Sequence, residues 1–515
     1  MLKNKGNQME LIKIDVRTGR ANLLRDKFEL IALGITAETK KPAGLLGQVD
    51  KALGGQIAKL LALGDFKAKA NSTAMLYANG SMPSERILLV GLGDEKKIDM
   101  ETLRKAAAVC SKESVGVAAQ KIAIDLTWCI DSKFDAHLLG QTLTEGLHFG
   151  AYKWDQYFSK PAEGAKEAKK FAALLIEPAK DAKQFAAGSK IGSVIGSAQN
   201  WGRTLANQPG NVVNPPVLAG IAKKMAGENK IKCTILDEKA LAKKGFGGIL
   251  AVGSGSASKP RLIILEYKGG AKNAKTVALV GKAITFDSGG ISIKPSQGME
   301  DMKLDKSGGV AVMATLRAIA QLDLPINVIG LIPSAENLPS STSFRPGDIV
   351  KTYNGKTVEI QNTDAEGRMI LCDAIALAAE KKVDAIVDIA TLTGACMVAL
   401  GRYKAGLMSN NDEFIKQLQD AAKVSGEAVW HLPSSDEYLD EMKSKIADLK
   451  NTGSRWGGAS NAAAFLGQFA GEIPWAHIDM AGVDLFESPK SFSAIGSSGY
   501  GVRLLTAYVR SLCKK

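Results

Sequence analysis

Two stretches of this 515-residue chain concentrate groups able to do chemistry. The first runs Val280-Gly281-Lys282-Ala283-Ile284-Thr285-Phe286-Asp287-Ser288-Gly289-Gly290 and continues through Lys294 to Met302-Lys303-Leu304-Asp305. The second is Asn362-Thr363-Asp364-Ala365-Glu366-Gly367-Arg368. Asp287, Asp305, Asp364 and Glu366, focused on one spot, would repel each other strongly unless cations lay between them. Carboxylate oxygens are hard ligands that suit divalent metals, and two ions roughly 3.5–4 Å apart form a hydrolytic clamp. Taken singly, each acid also fits a plainer role, Asp305 as a helix cap and Asp364 and Glu366 as polar loop residues. Spacing alone does not bring the two stretches together.

The elements that must position them can be read from the periodicity. Apolar, strand-like runs at 276–286 and 357–361 precede Asp287 and Asp364. Ligands of open α/β sheets gather at the carboxyl ends of strands, which would let the two loops converge. Helices are expected over 305–321 and 368–380, and Lys282 falls inside the first apolar strand. Further strands are expected at 232–236, 261–267, 327–333 and 385–389, with a helix over 217–229 after the turn-rich NQPGNVVNPP. Tyr353-Asn354-Gly355-Lys356 is a hairpin turn of the Asn-Gly kind. Nearer the N-terminus, 87–90 and 121–126 read as strands and 100–110 as a helix, while 168–177 fits either. Strands alternating with helices predict an α/β fold of two domains. A smaller N-terminal α/β domain is expected over 9–190, after a polar extension at 1–8. A C-terminal catalytic domain over 191–515 would hold a mixed, largely parallel sheet flanked by helices.

Composition narrows the class. Hydrophobic residues make up 45% and charged residues 23%, ordinary for a globular chain. No run of about 18 apolar residues suggests a membrane span, and the first residues show no apolar signal-peptide core. Six dispersed cysteines without a CxxC pair argue for a reducing cytosol. Four histidines show no HExxH spacing, no GxSxG elbow exists, and Gly355-Lys356-Thr357 lacks the earlier glycine of a P-loop, Val350 standing there. Cys372 and Cys396 sit in apolar surroundings and read as buried small hydrophobes rather than nucleophiles. The net charge is +13, but residues 1–200 carry 29 basic against 22 acidic side chains and the remainder 37 against 31. An excess spread so evenly reads as a solvated surface, not a nucleic-acid face.

NTDAEGR at 362–368 resembles the signature of the cytosol (leucyl) aminopeptidases, peptidase family M17, which are dinuclear-metal exopeptidases. VGKAITFDSGGISIKP at 280–295 is similar to that family's other catalytic stretch. The likeness extends through NQPGNVVNPP, residues 250–267, ATLTGA at 390–395 and WAHIDMAG at 475–482, and in the N-terminal part only through ERILLVGLG and 147–157. The resemblance implies two divalent ions, Zn or Mn, with Co or Mg possible at the exchangeable site. Their ligands would be Lys282, Asp287, Asp305, Asp364 and Glu366. Asp287 and Glu366 would bridge, Asp364 would complete the looser site, and Lys282 and Asp305 the tighter one. Lys282 would ligate as the neutral amine, its pKa depressed by the ions. The substrate amine would bind one metal, and a hydroxide bridging both ions would attack the first peptide bond. Lys294 would hydrogen-bond the oxyanion. Arg368 would hold bicarbonate as general base, with the backbone at Leu392 helping to anchor it.

The same resemblance places the first side-chain pocket at Met302, Thr391, Gly394 and residues 494–500, small and apolar enough to suit Leu or Met. It also implies a cytoplasmic homo-hexamer of paired trimers whose interior sites admit short peptides. Two residues depart from the family pattern: Ala283 replaces a usual Gly, and Lys306 stands where Met is common. A cation at 306 would weaken or retune the metals if it faces them; the alternative is that it simply points to solvent. Two other functions compete. A two-metal phosphoesterase would use similar carboxylates, although Lys282 and Lys294 follow the peptidase pattern. A DNA-binding accessory role, known for some bacterial members, is permitted by the +13 charge and unsupported by its distribution.

Overall fold

The computed structural model describes residues 12–129, 134–159 and 170–513; the extension expected at 1–8 lies outside them. The chain forms two compact units, one of Asn7–Asn200 with Glu487–Ile495 and one built on Trp201–Phe486 and Gly496–Lys515.

In the first unit, strands β1 (Lys13–Gly19), β2 (Leu30–Thr36), β3 (Thr73–Tyr77), β4 (Arg86–Gly93), β5 (Lys121–Asp125) and β6 (Lys170–Ile176) form one sheet. Its order is β1-β6-β5-β2-β4-β3, parallel except for the edge pair β3–β4. β2 reads LIALGIT and is buried at every position, as expected of a central parallel strand covered on both faces. Of the stretch 168–177, ambiguous in sequence, residues 168 and 169 lie outside the described residues and Lys170–Ile176 form β6. The helix Met100–Gly116 starts where Asp99 accepts a hydrogen bond from the Thr102 N–H. It packs on the helix Ala136–Gly150, where the buried Arg104 pairs with Glu145 at 3.0 Å.

The second unit holds the strands β7 (Lys232–Leu236), β8 (Arg261–Lys268), β9 (Thr276–Gly281), β10 (Ala283–Asp287), β11 (Asn327–Asn337), β12 (Ile349–Lys351), β13 (Thr357–Glu359), β14 (Ala385–Ala390), β15 (Ala405–Ser409), β16 (Val429–His431), β17 (Leu449–Lys450) and β18 (Trp475–Asp479). Nine make a mixed sheet in the order β16-β15-β18-β14-β9-β11-β8-β7, with β10 also on β11. The central pairs β18–β14, β14–β9 and β9–β11 are parallel; β7–β8, β8–β11 and β15–β18 are antiparallel. The helices Ser307–Gln321 and Glu366–Glu380 are buried along most of their lengths, as α/β layering demands.

Three local expectations are revised. The strand expected at 276–286 is two strands, broken at Lys282. There the Lys282 N–H turns to the Ile389 carbonyl at 3.2 Å, and β10 continues only on β11. Asp305 does not open a helix: a short 3-10 turn, Met299–Leu304, precedes it, and the α-helix starts at Ser307 without a side-chain cap. The strand before Asp364, β13, belongs to a separate small sheet with β12 and β17, not to the large one. The Asn-Gly hairpin joins β12 and β13 antiparallel, with Gly355 at φ +90°.

Candidate metal centre

The break at Lys282 turns its side chain into the interior, where it is nearly inaccessible. Its Nζ lies 2.9 Å from Asp305 Oδ1 and 2.8 Å from Glu366 Oε1, and donates to the Thr391 carbonyl at 2.9 Å. Lys294, half-buried, sits 2.8 Å from Asp287 Oδ2 and 2.5 Å from Asp364 Oδ1. One carboxylate oxygen each from Asp287, Asp364 and Glu366 fall within 4.8 Å of one another. Seven of the residues singled out in sequence therefore meet: Lys282, Asp287, Lys294, Asp305, Asp364, Glu366 and Thr391.

The surrounding backbone explains the convergence. Asp287 ends β10, and the chain then reverses through Gly289 and Gly290 at φ +84° and +67°, a conformation that favours glycine. A Cβ on Gly289 would come 2.5 Å from the Ser292 carbonyl. Glu366 begins a helix, and the next residue, Gly367, leaves room for the lysine: a Cβ there would lie 2.8 Å from Lys282 Nζ. Thr391 follows β14, and its hydroxyl donates to Asp305 Oδ1 at 2.7 Å.

Electrostatics fit this donor set to cations. Burial opposes charge on Lys282, yet Asp305, Glu366 and Asp287 outweigh it and hold the ammonium above its ordinary pKa. Lys294 is raised for the same reason by Asp287, Glu366 and Asp364. Burial pushes Asp305, Glu366 and Asp364 above the usual carboxylate range, and Asp287 adds to the shift at each. Four carboxylates facing two ammonium groups leave two negative charges unbalanced. Asp305 Oδ2 is buried without a hydrogen-bond partner. A buried acceptor left unmade and an uncompensated negative cluster are both relieved by divalent cations, so the residues fit a metal pair.

Arg368 lies one helical step on, buried, with Nη1 donating to the Asn451 carbonyl at 2.8 Å and Nε unpartnered. Burial lowers its pKa to about 10. The Leu392 N–H donates to Asp479 Oδ1 at 3.2 Å. Met302 lies on the turn Met299–Leu304, partly exposed, and Gly394 opens the exposed start of the helix Gly394–Leu400. Lys306 neither joins the carboxylates nor points to solvent: it is fully buried among backbone carbonyls. Cys372 and Cys396 are buried, and burial pushes the Cys396 thiol up to about 12 and holds Cys372 well above its ordinary range, which argues against both as nucleophiles.

Three supporting residues escaped the sequence reading. Asn337 donates to Asp287 Oδ1 and to the Thr363 carbonyl, both at 2.9 Å, tying the two stretches together. Its strand, expected to end at 333, runs on to 337. Asn451 accepts from the Gln361 N–H at 2.8 Å and donates to the Asn362 carbonyl at 2.7 Å, and nothing local in the sequence marks it. Asp479 takes the Thr393 hydroxyl at 2.6 Å. It ends β18, and the rule that flagged Asp287 could have found it.

Comparison with known proteins agrees over nearly the whole chain. The model described as "Cytosol aminopeptidase family, catalytic domain" matches residues 200–506, and that family's N-terminal domain matches 32–161. A protein of Pseudomonas aeruginosa named cytosol aminopeptidase is 41% identical over 500 residues, covering 97% of this chain and 99% of that one. A mutant tomato leucine aminopeptidase superposes with a TM-score of 0.88 at 31% identity, covering 98% of each chain. A bottromycin maturation enzyme solved in complex with Mn gives 0.82 at 31% identity, over 94% of this chain and all of that one.

Proposed function

This chain belongs to the cytosol aminopeptidase family and is a peptidase, and we propose that it is a two-metal leucyl aminopeptidase. It would release N-terminal residues, Leu or Met preferred, from short peptides. The observation that carries the reading is the convergence of Lys282, Asp287, Asp305, Asp364 and Glu366 around an excess of buried negative charge. These five would hold the ions, with Zn or Mn first and Co or Mg at the exchangeable site; the Mn complex of a relative supports Mn. When bound, the ions supply Lewis acidity and acidify a water towards neutral pH.

The chain's own groups do the rest. Lys282 would join the residues that hold the ions, and could do so only as the neutral amine, its ammonium pairings with Asp305 and Glu366 given up. Lys294, released from Asp287 and Asp364, donates to the scissile carbonyl oxygen as negative charge develops there. Arg368, with its unpartnered Nε, would hold a bicarbonate ion, which would supply general-base chemistry there, and the backbone at Leu392 would help to anchor it. Met302, Thr391 and Gly394 would border the first side chain of the substrate. A cytoplasmic homo-hexamer belongs to the same proposal and rests on the family alone.

The test is hydrolysis of leucine p-nitroanilide by metal-stripped protein with Zn, Mn, Co or Mg added back, wild type beside Asp364→Asn. Metal-restored turnover that the substitution lowers by a hundredfold or more is expected. Turnover indifferent to Asp364→Asn, or none with any metal, overturns the reading.

A further inference from the structure

Lys306 follows Asp305 directly, yet its side chain is committed elsewhere. Fully buried, its Nζ donates to three backbone carbonyls: Ala206 at 2.8 Å, Gln208 at 2.7 Å, and Lys303. Two of these oxygens belong to the segment at residues 206–208, and the third to the turn Met299–Leu304, which carries Met302 and leads into Asp305. An ammonium has three N–H donors and no lone pair, so three carbonyls use every donor it has. A neutral amine would turn its lone pair on one of them. Three carbonyl oxygens aimed at one point are also the kind of donor set a small hard cation takes. The residues that follow the turn are bonded to the site's own strands: the Ile284 N–H donates to the Asp305 carbonyl at 3.2 Å, and the Gly309 N–H, in the helix after it, to the Lys282 carbonyl at 2.6 Å.

We propose that Lys306 is a tethered cation seated in a three-carbonyl cradle, a positioning residue that holds the Met302–Asp305 turn against residues 206–208. Removing it takes one donor from each of three inward carbonyls and lets the turn drift, carrying Asp305 with it. A free cation of ammonium size should then take the vacated place. Only the activity arm of the test rests on the aminopeptidase reading.

Full-length Lys306→Ala and Lys306→Met are compared with wild type, using ammonium chloride as probe against tetramethylammonium chloride at equal ionic strength. The first readout is the melting temperature of metal-stripped protein. Ammonium should raise it saturably in Lys306→Ala by several degrees, and should do no more than the control salt in wild type or in Lys306→Met, whose side chain fills the space without charge. The second readout is leucine p-nitroanilide hydrolysis with Mn, where Lys306→Ala should lose at least tenfold, mainly in kcat, and recover part of it with ammonium. Equal ammonium responses in wild type and Lys306→Ala overturn the proposal, as does wild-type melting in Lys306→Ala. If that variant does not fold, Lys306→Met decides: wild-type melting and turnover refute the clamp, and loss of both with intact helicity supports it. A wild type inactive on every aminoacyl amide would sink the proposed function while the melting arm still judges Lys306.

Discussion

Gly367→Ala offers a sharp test of how the centre is built. A methyl group at 367 would lie 2.8 Å from Lys282 Nζ and 2.9 Å from both Lys282 Cε and Leu392 Cδ1. Relief to ordinary contact at 3.4 Å requires the ammonium to retreat by about 0.6 Å. Its distances to Asp305, Glu366 and the Thr391 carbonyl are 2.8–2.9 Å, so a shift of that size takes at least one beyond hydrogen-bonding range. Overpacking costs about 1–3 kcal/mol, while replacing a helical glycine by alanine returns about 0.8–1 kcal/mol. The net effect on folding should therefore be about 0–2 kcal/mol, a few degrees in melting temperature. Metal affinity should fall much further, by about 10–100-fold, as when groups that orient a ligand are disturbed. Gly220→Ala is the control, since a Cβ there meets nothing within 4 Å in the helix Pro215–Glu228; it should stabilise by about 0.8–1 kcal/mol and leave metal binding alone. Calorimetric titration of metal-stripped protein with Mn reads both. Affinity of Gly367→Ala within twofold of wild type would refute the argument that Lys282 is sterically fixed.

Two further outcomes follow from the buried charges. Because Asp305, Glu366 and Asp364 have raised folded pKa values, their protonated forms are favoured by folding. That contribution is complete below the unfolded carboxylate pKa and is lost as pH rises through the folded values. The melting gain on adding Mn should therefore be larger at pH 8 than at pH 5, and Asp305→Asn should shrink the difference; an equal gain at both pH values contradicts it. Separately, His477 Nδ1 lies 2.5 Å from Asp388 Oδ1, both wholly buried, and Trp475 Nε1 donates to Asp388 Oδ2 at 2.7 Å. Breaking a buried pair on one side costs about 3–5 kcal/mol, so Asp388→Ala should lower the urea midpoint accordingly, and a change under about 1 kcal/mol would show the pair to be idle.

The large sheet was legible because its strands are apolar runs closed by turn residues, and a parallel strand buried on both faces cannot look otherwise. The misreadings share one cause. Residues 276–286 form a largely apolar run in which Lys282 is the one charged residue, and hydropathy cannot tell a lysine enclosed in a strand from one that ends it. Hydrogen bonding decides, because β14 offers the Ile389 carbonyl where β9 stops. The same holds for Asp305, which looks like a helix cap by residue type. Its Oδ1 is engaged by Lys282 and Thr391 rather than by a helix N–H, and the helix begins two residues later at Ser307.

The site shows the complementary asymmetry. The acidic residues stand out as two stretches rich in groups able to do chemistry, and the resemblance to the family joins them with Lys282 and Lys294 into one ligand set. The neutral amides do not stand out, since Asn337 and Asn451 do their work through main-chain partners 26 and 89 residues away in sequence. Those amides make the two chemical stretches one site: Asn337 bonds Asp287 on one side and the Thr363 carbonyl on the other, while Asn451 bonds the main chain at Gln361 and Asn362. Lys306 falls between the two classes. Its charge drew attention next to Asp305, but a charge reveals only that a partner must exist. Its partners are carbonyl oxygens, which every residue carries and no sequence pattern marks, so its place in the cradle could be read only from the fold.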